Sequence, residues 1–146
     1  MVTKQPAMRP TGESIAEVLG RVSGPRRDEA AELVALLGAV SGTEPVVWAG
    51  RIIGFGEYEY RYATGHGGRA PELGFATGSA KHTIYLIEGF AERWPGLLER
   101  LGRHRASRVC LYLTRLTGID REVLRELLVR SLELNRERWG SAGGAD

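Results

Sequence analysis

Cys110 is the one cysteine among 146 residues, so no internal disulfide can staple this chain, and a reducing compartment is indicated. No apolar run approaches the length that crosses a bilayer, and the N-terminus lacks the apolar segment of a secretory signal. These absences point to the cytoplasm and away from membranes. Charge of one sign is also scarce: 20 basic against 18 acidic side chains leave +2, despite a pI near 8.9. So balanced a surface gives no strong field for a nucleic acid. No internal repeat, Ser-His-Asp order, paired-carboxylate signature or nucleotide fingerprint is present, so no reaction is argued from individual residues.

What is there describes an ordinary folded chain. Hydrophobic residues make up 42% and charged residues 26%, which excludes the disordered and fibrous classes. The length suits one domain with a real core. A leader over 1–12, a domain over 13–138 and a loose tail over 139–146 are expected. Ile15, Val18, Leu19 and Val22 have helical spacing, stopped by Ser23-Gly24-Pro25. Pro25 opens a second helix with Ala30, Leu33, Val34, Leu37 and Val40 on its apolar stripe. Pro95-Gly96 divides the segment from Phe90 to Leu101 into a turn and a short helix. Asp120 is placed to cap a last helix carrying Val123, Leu124, Leu127, Leu128, Ser131 and Leu134.

Between the helices the chain changes period. From Trp48 to Tyr62, WAGRIIGFGEYEYRY holds three glycines and five aromatics, with Tyr58, Tyr60 and Tyr62 spaced by two as on one face of a strand. Gly54 and Gly56 interrupt the alternation, so a bulge or turn is expected there. TGHGG from Thr64 to Gly68 is expected as a loop, followed by strands at Leu73–Ala76 and His82–Ile87, giving an antiparallel meander. Arg103 to Ser107 forms a basic loop before a strand over Val109–Leu113. The fold expected is α+β, one antiparallel sheet of about five strands with helices mainly on one face.

In the later strands Ile84 and Leu86, or Leu111 and Leu113, share one parity, while Tyr85 or Tyr112 takes the other. Helices would cover the aliphatic side. The tyrosine side is then a ligand groove, a homodimer interface, or a set of edge residues with hydroxyls at the rim.

These residues also carry a resemblance. Pro45 to Tyr62, the Gly74-Phe75 pair, IYLIEGF from Ile84, LLERLGRHR from Leu97, CLYLTRL from Cys110 and IDREVLREL from Ile119 follow in an order similar to the YdhG-like family. That family comprises bacterial domains of unknown function. The resemblance covers about residues 14 to 132 and implies a small α+β fold; some members are described as frataxin-like iron chaperones. Similar sequences carry basic residues where this chain has Thr77, Gly78 and Ser79, and a glycine where it has Ser107. Lys81, Arg105 and Arg108 would stand in for the lost cations.

Candidate chemistry is limited. His66, His82 and His104 are too scattered for a ready metal motif. Cys110, between Val109 and Leu111, is expected as a buried structural thiol. Glu57 and Glu59 would repel the phosphates of an RNA. For iron, the alternative cofactor, Glu13 with Glu17, and Asp28 with Glu29 and Glu32, supply hard carboxylates at helical spacing. Ion pairs with Arg21, Arg26 and Arg27 are the plainer use of those acids. The leading expectation is a non-enzymatic module with no cofactor. It binds a small, anionic molecule with Trp48, Tyr58, Tyr60, Tyr62, Phe75 and Tyr85 as aromatic walls and Lys81, His104 and Arg105 as the basic part.

Overall fold

The computed structural model describes residues 8–61, 63–65 and 67–140. In chain order the elements are α1 (Ile15–Gly20), α2 (Pro25–Ser41), β1 (Pro45–Trp48), β2 (Ile52–Phe55), β3 (Tyr58–Arg61), β4 (Gly67–Ala70) and β5 (Leu73–Thr77). They continue with β6 (His82–Tyr85), α3 (Phe90–Arg93), α4 (Pro95–Leu101), β7 (Arg105–Ala106), β8 (Cys110–Leu113) and α5 (Arg121–Trp139).

Local chemistry sets the helix starts. The Ser14 hydroxyl accepts the Glu17 N–H while the Glu17 carboxylate accepts the Ser14 N–H, a reciprocal cap for α1. Pro25 stands in the first turn of α2, where its missing N–H costs nothing. Pro95 does the same for α4 and so separates it from α3. Asp120 accepts the N–H groups of Glu122 and Val123 at 3.0 and 3.1 Å, starting α5.

The main sheet is antiparallel and has six strands in the order β1-β2-β5-β6-β8-β7. Its register aligns Val47, Ile53, Phe75, Ile84 and Leu111 in one row. These residues share a core with Leu33 and Leu37 of α2, Leu101 of α4, and Leu124, Leu127 and Leu128 of α5. Each fully buried Leu, Ile or Phe contributes roughly 1.5–3 kcal/mol of transfer free energy. The helical cover is therefore drawn mainly to one side of the sheet by the period-two alternation of aliphatic residues.

Three findings depart from the expected outline. The meander is interrupted, because β3 and β4 pair with each other as a separate two-stranded ribbon. The last two residues of the expected TGHGG loop, Gly67 and Gly68, are thus strand, with Gly68 facing Tyr60 in the register. The leader's last residues are docked: the Thr11 N–H donates to Val47 and the Ala49 N–H to the Arg9 carbonyl, lengthening the sheet beyond β1. At the other end Trp139 is the last residue of α5 and stacks on Tyr58 with ring centroids 6.1 Å apart.

The two interrupting glycines do different work. Gly56 turns the chain from β2 into β3 with φ +72°, a left-handed conformation that L side chains rarely adopt. Gly54 lies within β2 and leaves space for a neighbour, since a Cβ there would stand 2.7 Å from both Trp48 and Pro71.

Candidate functional site

The opposite side of the sheet, bordered by α1 and by the end of α5, carries the remaining polar and aromatic residues. One row contains Ala76, Thr83, Tyr112 and Arg105, and the next contains Gly54, Gly74, Tyr85 and Cys110. Thr83, Tyr85, Cys110 and Tyr112 are all half-buried. Cys110 is accordingly a partly open thiol on this side and not a core residue; its parity opposes that of Leu111. Clefts open at both ends of this surface.

The first, of about 630 Å³, is lined by Lys81, Arg103, His104, Arg105, Tyr112 and Thr114, with Ala80 at its edge. The β6 and β8 strands fix it: Thr83 pairs with Tyr112, and Arg105 of β7 pairs with Tyr112 from the other side. The Lys81 ammonium lies 5.7 Å from the centre of the Tyr112 ring, over its electron-rich face. His104 Nδ1 is 2.8 Å from the Gly102 carbonyl. That nitrogen therefore carries the proton, and Nε2 is the one a ligand could meet. Among the described residues none of these four basic side chains stands in an ion pair, and the cleft has no carboxylate in its lining.

The second cleft, of about 390 Å³, opens where the β3–β4 ribbon, the sheet and the end of α5 meet. Tyr58, Tyr60, Tyr85, Trp139 and Asn135 line it, with Ile52, Ile87 and Pro71 among its apolar walls. Glu72 belongs to this region as well. Its buried carboxylate accepts two hydrogen bonds from Arg136, at 3.0 and 3.1 Å, a forked pair that clamps the entry of β5 to α5. That interaction holds the Arg136 guanidinium above its ordinary pKa.

The expected ligand set is thus divided. Lys81, His104 and Arg105 come together in the basic cleft, whereas Tyr58, Tyr60 and Tyr85 line the aromatic one. Tyr62 lies outside the described residues, as does His66. Trp48 and Phe75 join neither cleft. Phe75 belongs to the helix-covered row and is fully buried, while Trp48 fills the space over Gly54 beneath Pro71 and is 1% exposed. Arg108 is turned to Glu88 instead of the basic cleft. Arg103, Tyr112, Asn135 and Trp139 are the additions. Leu128, Ser131, Asn135 and Trp139 recur at helical spacing, a signal masked because two of the four are polar.

The carboxylates proposed for iron are spread out. Glu17 closes the α1 cap. Glu13 accepts the Thr11 hydroxyl, which holds its carboxyl below the usual range. Asp28 sits in the first turn of α2, where the helix dipole favours a negative charge. Glu32 accepts a forked pair from Arg121. Glu29 receives Arg115 at 2.9 Å and His82 at 3.0 Å. Among the described residues, no three His, Cys, Asp or Glu side chains gather as a metal set. The ion pairs found involve Arg115 and Arg121 from the far end of the chain, not the neighbouring Arg21, Arg26 and Arg27. Those three donate to backbone carbonyls instead.

No helix is long and apolar enough to cross a membrane among the described residues. The chain matches no protein-family model, no curated protein and no solved structure.

Proposed function

We propose that this protein is a non-enzymatic cytoplasmic binding module for a small anionic molecule, held in the cleft between Lys81, Arg103, His104 and Arg105. The observation that carries this reading is the convergence of those four basic groups around Tyr112 with no acid in the lining. Basic groups with no ion-pair partner among the described residues are left to attract a ligand, and Tyr112 supplies a flat wall against which an aromatic or sugar ring can rest. A phosphate or carboxylate fits the charge, and the arginines offer forked donors matched to either. The lone unpaired cysteine accords with a reducing compartment.

Calorimetry with phenyl phosphate and with inorganic phosphate tests the proposal. Phenyl phosphate is expected to bind more tightly because it gains the Tyr112 ring, and both affinities should weaken as salt screens the exposed charges. The double variant Lys81→Ala, Arg105→Ala should abolish the binding heat while leaving the thermal midpoint unchanged. Absence of heat with the wild-type protein at low ionic strength, or binding that survives the double variant, would overturn the assignment.

A further inference from the structure

We propose that the aromatic cleft is a second binding site, chemically distinct from the basic one, for an uncharged aromatic molecule that carries one N–H or O–H donor. Its donor would meet Asn135 Oδ1. The reading does not depend on any ligand in the basic cleft.

Asn135 is the anchor of the inference. It lies on α5, is 5% exposed, and lines the cleft with Tyr58, Tyr60, Tyr85, Ile87 and Trp139. Its Oδ1 is buried and has no hydrogen-bond partner among the described residues. Such an atom is uncommon in folded proteins, because a buried carbonyl deprived of a partner forfeits the hydration it had in the unfolded chain. Two neighbouring polar groups of α5 are engaged: Ser131 Oγ accepts the Ile87 N–H at 2.9 Å, and Arg136 is forked onto Glu72. Asn135 Oδ1 therefore stands as an acceptor set among apolar and aromatic walls, the arrangement by which small-molecule sites fix the orientation of a ligand.

The walls define the rest of the ligand. A volume of about 390 Å³ is within the range of small-molecule pockets. Trp139 packs on Tyr58 at 6.1 Å, and Tyr58 on Tyr60 at 6.2 Å, so rings already stack around the opening. A flat aromatic guest extends that stacking. Of the charged residues in the lining, Glu72 is held by Arg136 and Glu88 by Arg108, and Arg138 is exposed, while Ile52, Leu86 and Ile87 form the sheet side of the cleft, which disfavours a charged guest there.

Indole and benzothiophene separate donor recognition from simple burial, since they have nearly the same shape and only indole has an N–H. Titrations followed by the Asn135 side-chain amide signals should show indole binding about tenfold more tightly than benzothiophene, the discrimination expected of one net hydrogen bond. Asn135→Leu should bring the two affinities together. A wild-type protein that binds both equally, or neither, overturns the proposal. So does an Asn135→Leu variant that still prefers indole. If that variant fails to fold, the wild-type titration decides alone: the Asn135 amide signals must reach half their shift at about tenfold less indole than benzothiophene. Phenyl phosphate binding in the basic cleft should be unchanged by indole, which keeps this outcome separate from that of the first proposal.

Discussion

His82 Nε2 lies 3.0 Å from Glu29 Oε1, and the ring is fully buried between that carboxylate and the Thr77 hydroxyl, which is 2.8 Å from Nδ1. Burial pushes the imidazole below its ordinary pKa, and the Glu29 carboxylate only partly opposes it; Arg26 and Arg115 add to the lowering. The neutral ring then donates from Nε2 to Glu29 and accepts from Thr77 at Nδ1. For Glu29 burial alone would raise the pKa, but hydrogen bonds from His82 and Arg115 outweigh it and the net direction is down.

Both shifts have the same consequence for stability. A group whose pKa is lower in the folded than in the unfolded chain binds fewer protons when folded, so stability is present above the unfolded value and is lost as pH falls. For His82 that loss begins at about pH 6.5, and for Glu29 it follows at about pH 4.5. Urea midpoints measured from pH 7.5 down to 5 should fall for the wild-type protein. His82→Leu should be less stable at neutral pH by about 1–3 kcal/mol, because Glu29 loses a donor, and its midpoint should be flatter over that range. A flat wild-type profile would refute the buried neutral assignment.

The Glu72–Arg136 fork gives a larger effect. The Glu72 side chain is 2% exposed, whereas that of Arg136 is 39% exposed. Removing the guanidinium deprives a buried carboxylate of this forked pair, and the half-open position of Arg136 limits the loss to about 3 kcal/mol. Arg136→Met, which keeps the aliphatic stem, should show this loss in chemical denaturation. The double variant Arg136→Met, Glu72→Gln should recover a large part of it. A double variant as unstable as Arg136→Met would show that something other than the lost fork to Glu72 is responsible.

Much of the fold was legible because local chemistry and tertiary packing agree. The Asp120 cap, the Pro95 break and the alternation of Ile84 with Tyr85 each had a single consistent reading. The excursion of β3 and β4 was not legible. GGRA from Gly67 to Ala70 has no β-branched or large aromatic residue to announce a strand, and its pairing with YEYR depends on the ribbon leaving the sheet. The basic cleft was partly legible, since Lys81 and the Arg103–Arg105 loop flank paired strands. The aromatic cleft required knowing that the end of α5 reaches Tyr58, a contact between residues 81 positions apart. Trp48 shows the converse failure: strand parity allowed it on the open face, but Gly54 and Pro71 enclose it.

That enclosure makes Gly54 a sensitive position. Its backbone is ordinary for a strand, so a substitution meets no φ penalty, yet a Cβ would lie 2.7 Å from Trp48 and from Pro71. Gly54→Ala should cost about 1–3 kcal/mol through overpacking, and the fluorescence of Trp48 should report the displaced ring. Adding Trp48→Ala, which removes the Cδ1–Nε1 edge that the new methyl would meet, should cost less in the Gly54→Ala background than in the wild type, recovering part of the summed loss. No recovery would mean that the Pro71 contact dominates.

Trp139 holds the ribbon in place through a different kind of contact. A two-stranded ribbon has little stability of its own in water, and β3–β4 is tied to α5 where Trp139 meets Tyr58 at 6.1 Å with the rings inclined by 32°. An aromatic pair of this kind contributes about 0.5–1.5 kcal/mol beyond burial. Trp139→Ala should therefore speed amide exchange across Tyr58–Arg61 and Gly67–Ala70 while leaving β5, β6 and β8 protected, because those strands are fixed by the core on the opposite face. Uniform acceleration over the whole sheet would mean that the ribbon and the sheet open as one unit. Unchanged exchange in the ribbon would show that its own cross-strand pairs suffice. Only the first pattern, loosening confined to the ribbon, makes Trp139 a wall that can move to admit a ligand to the cleft beside Asn135.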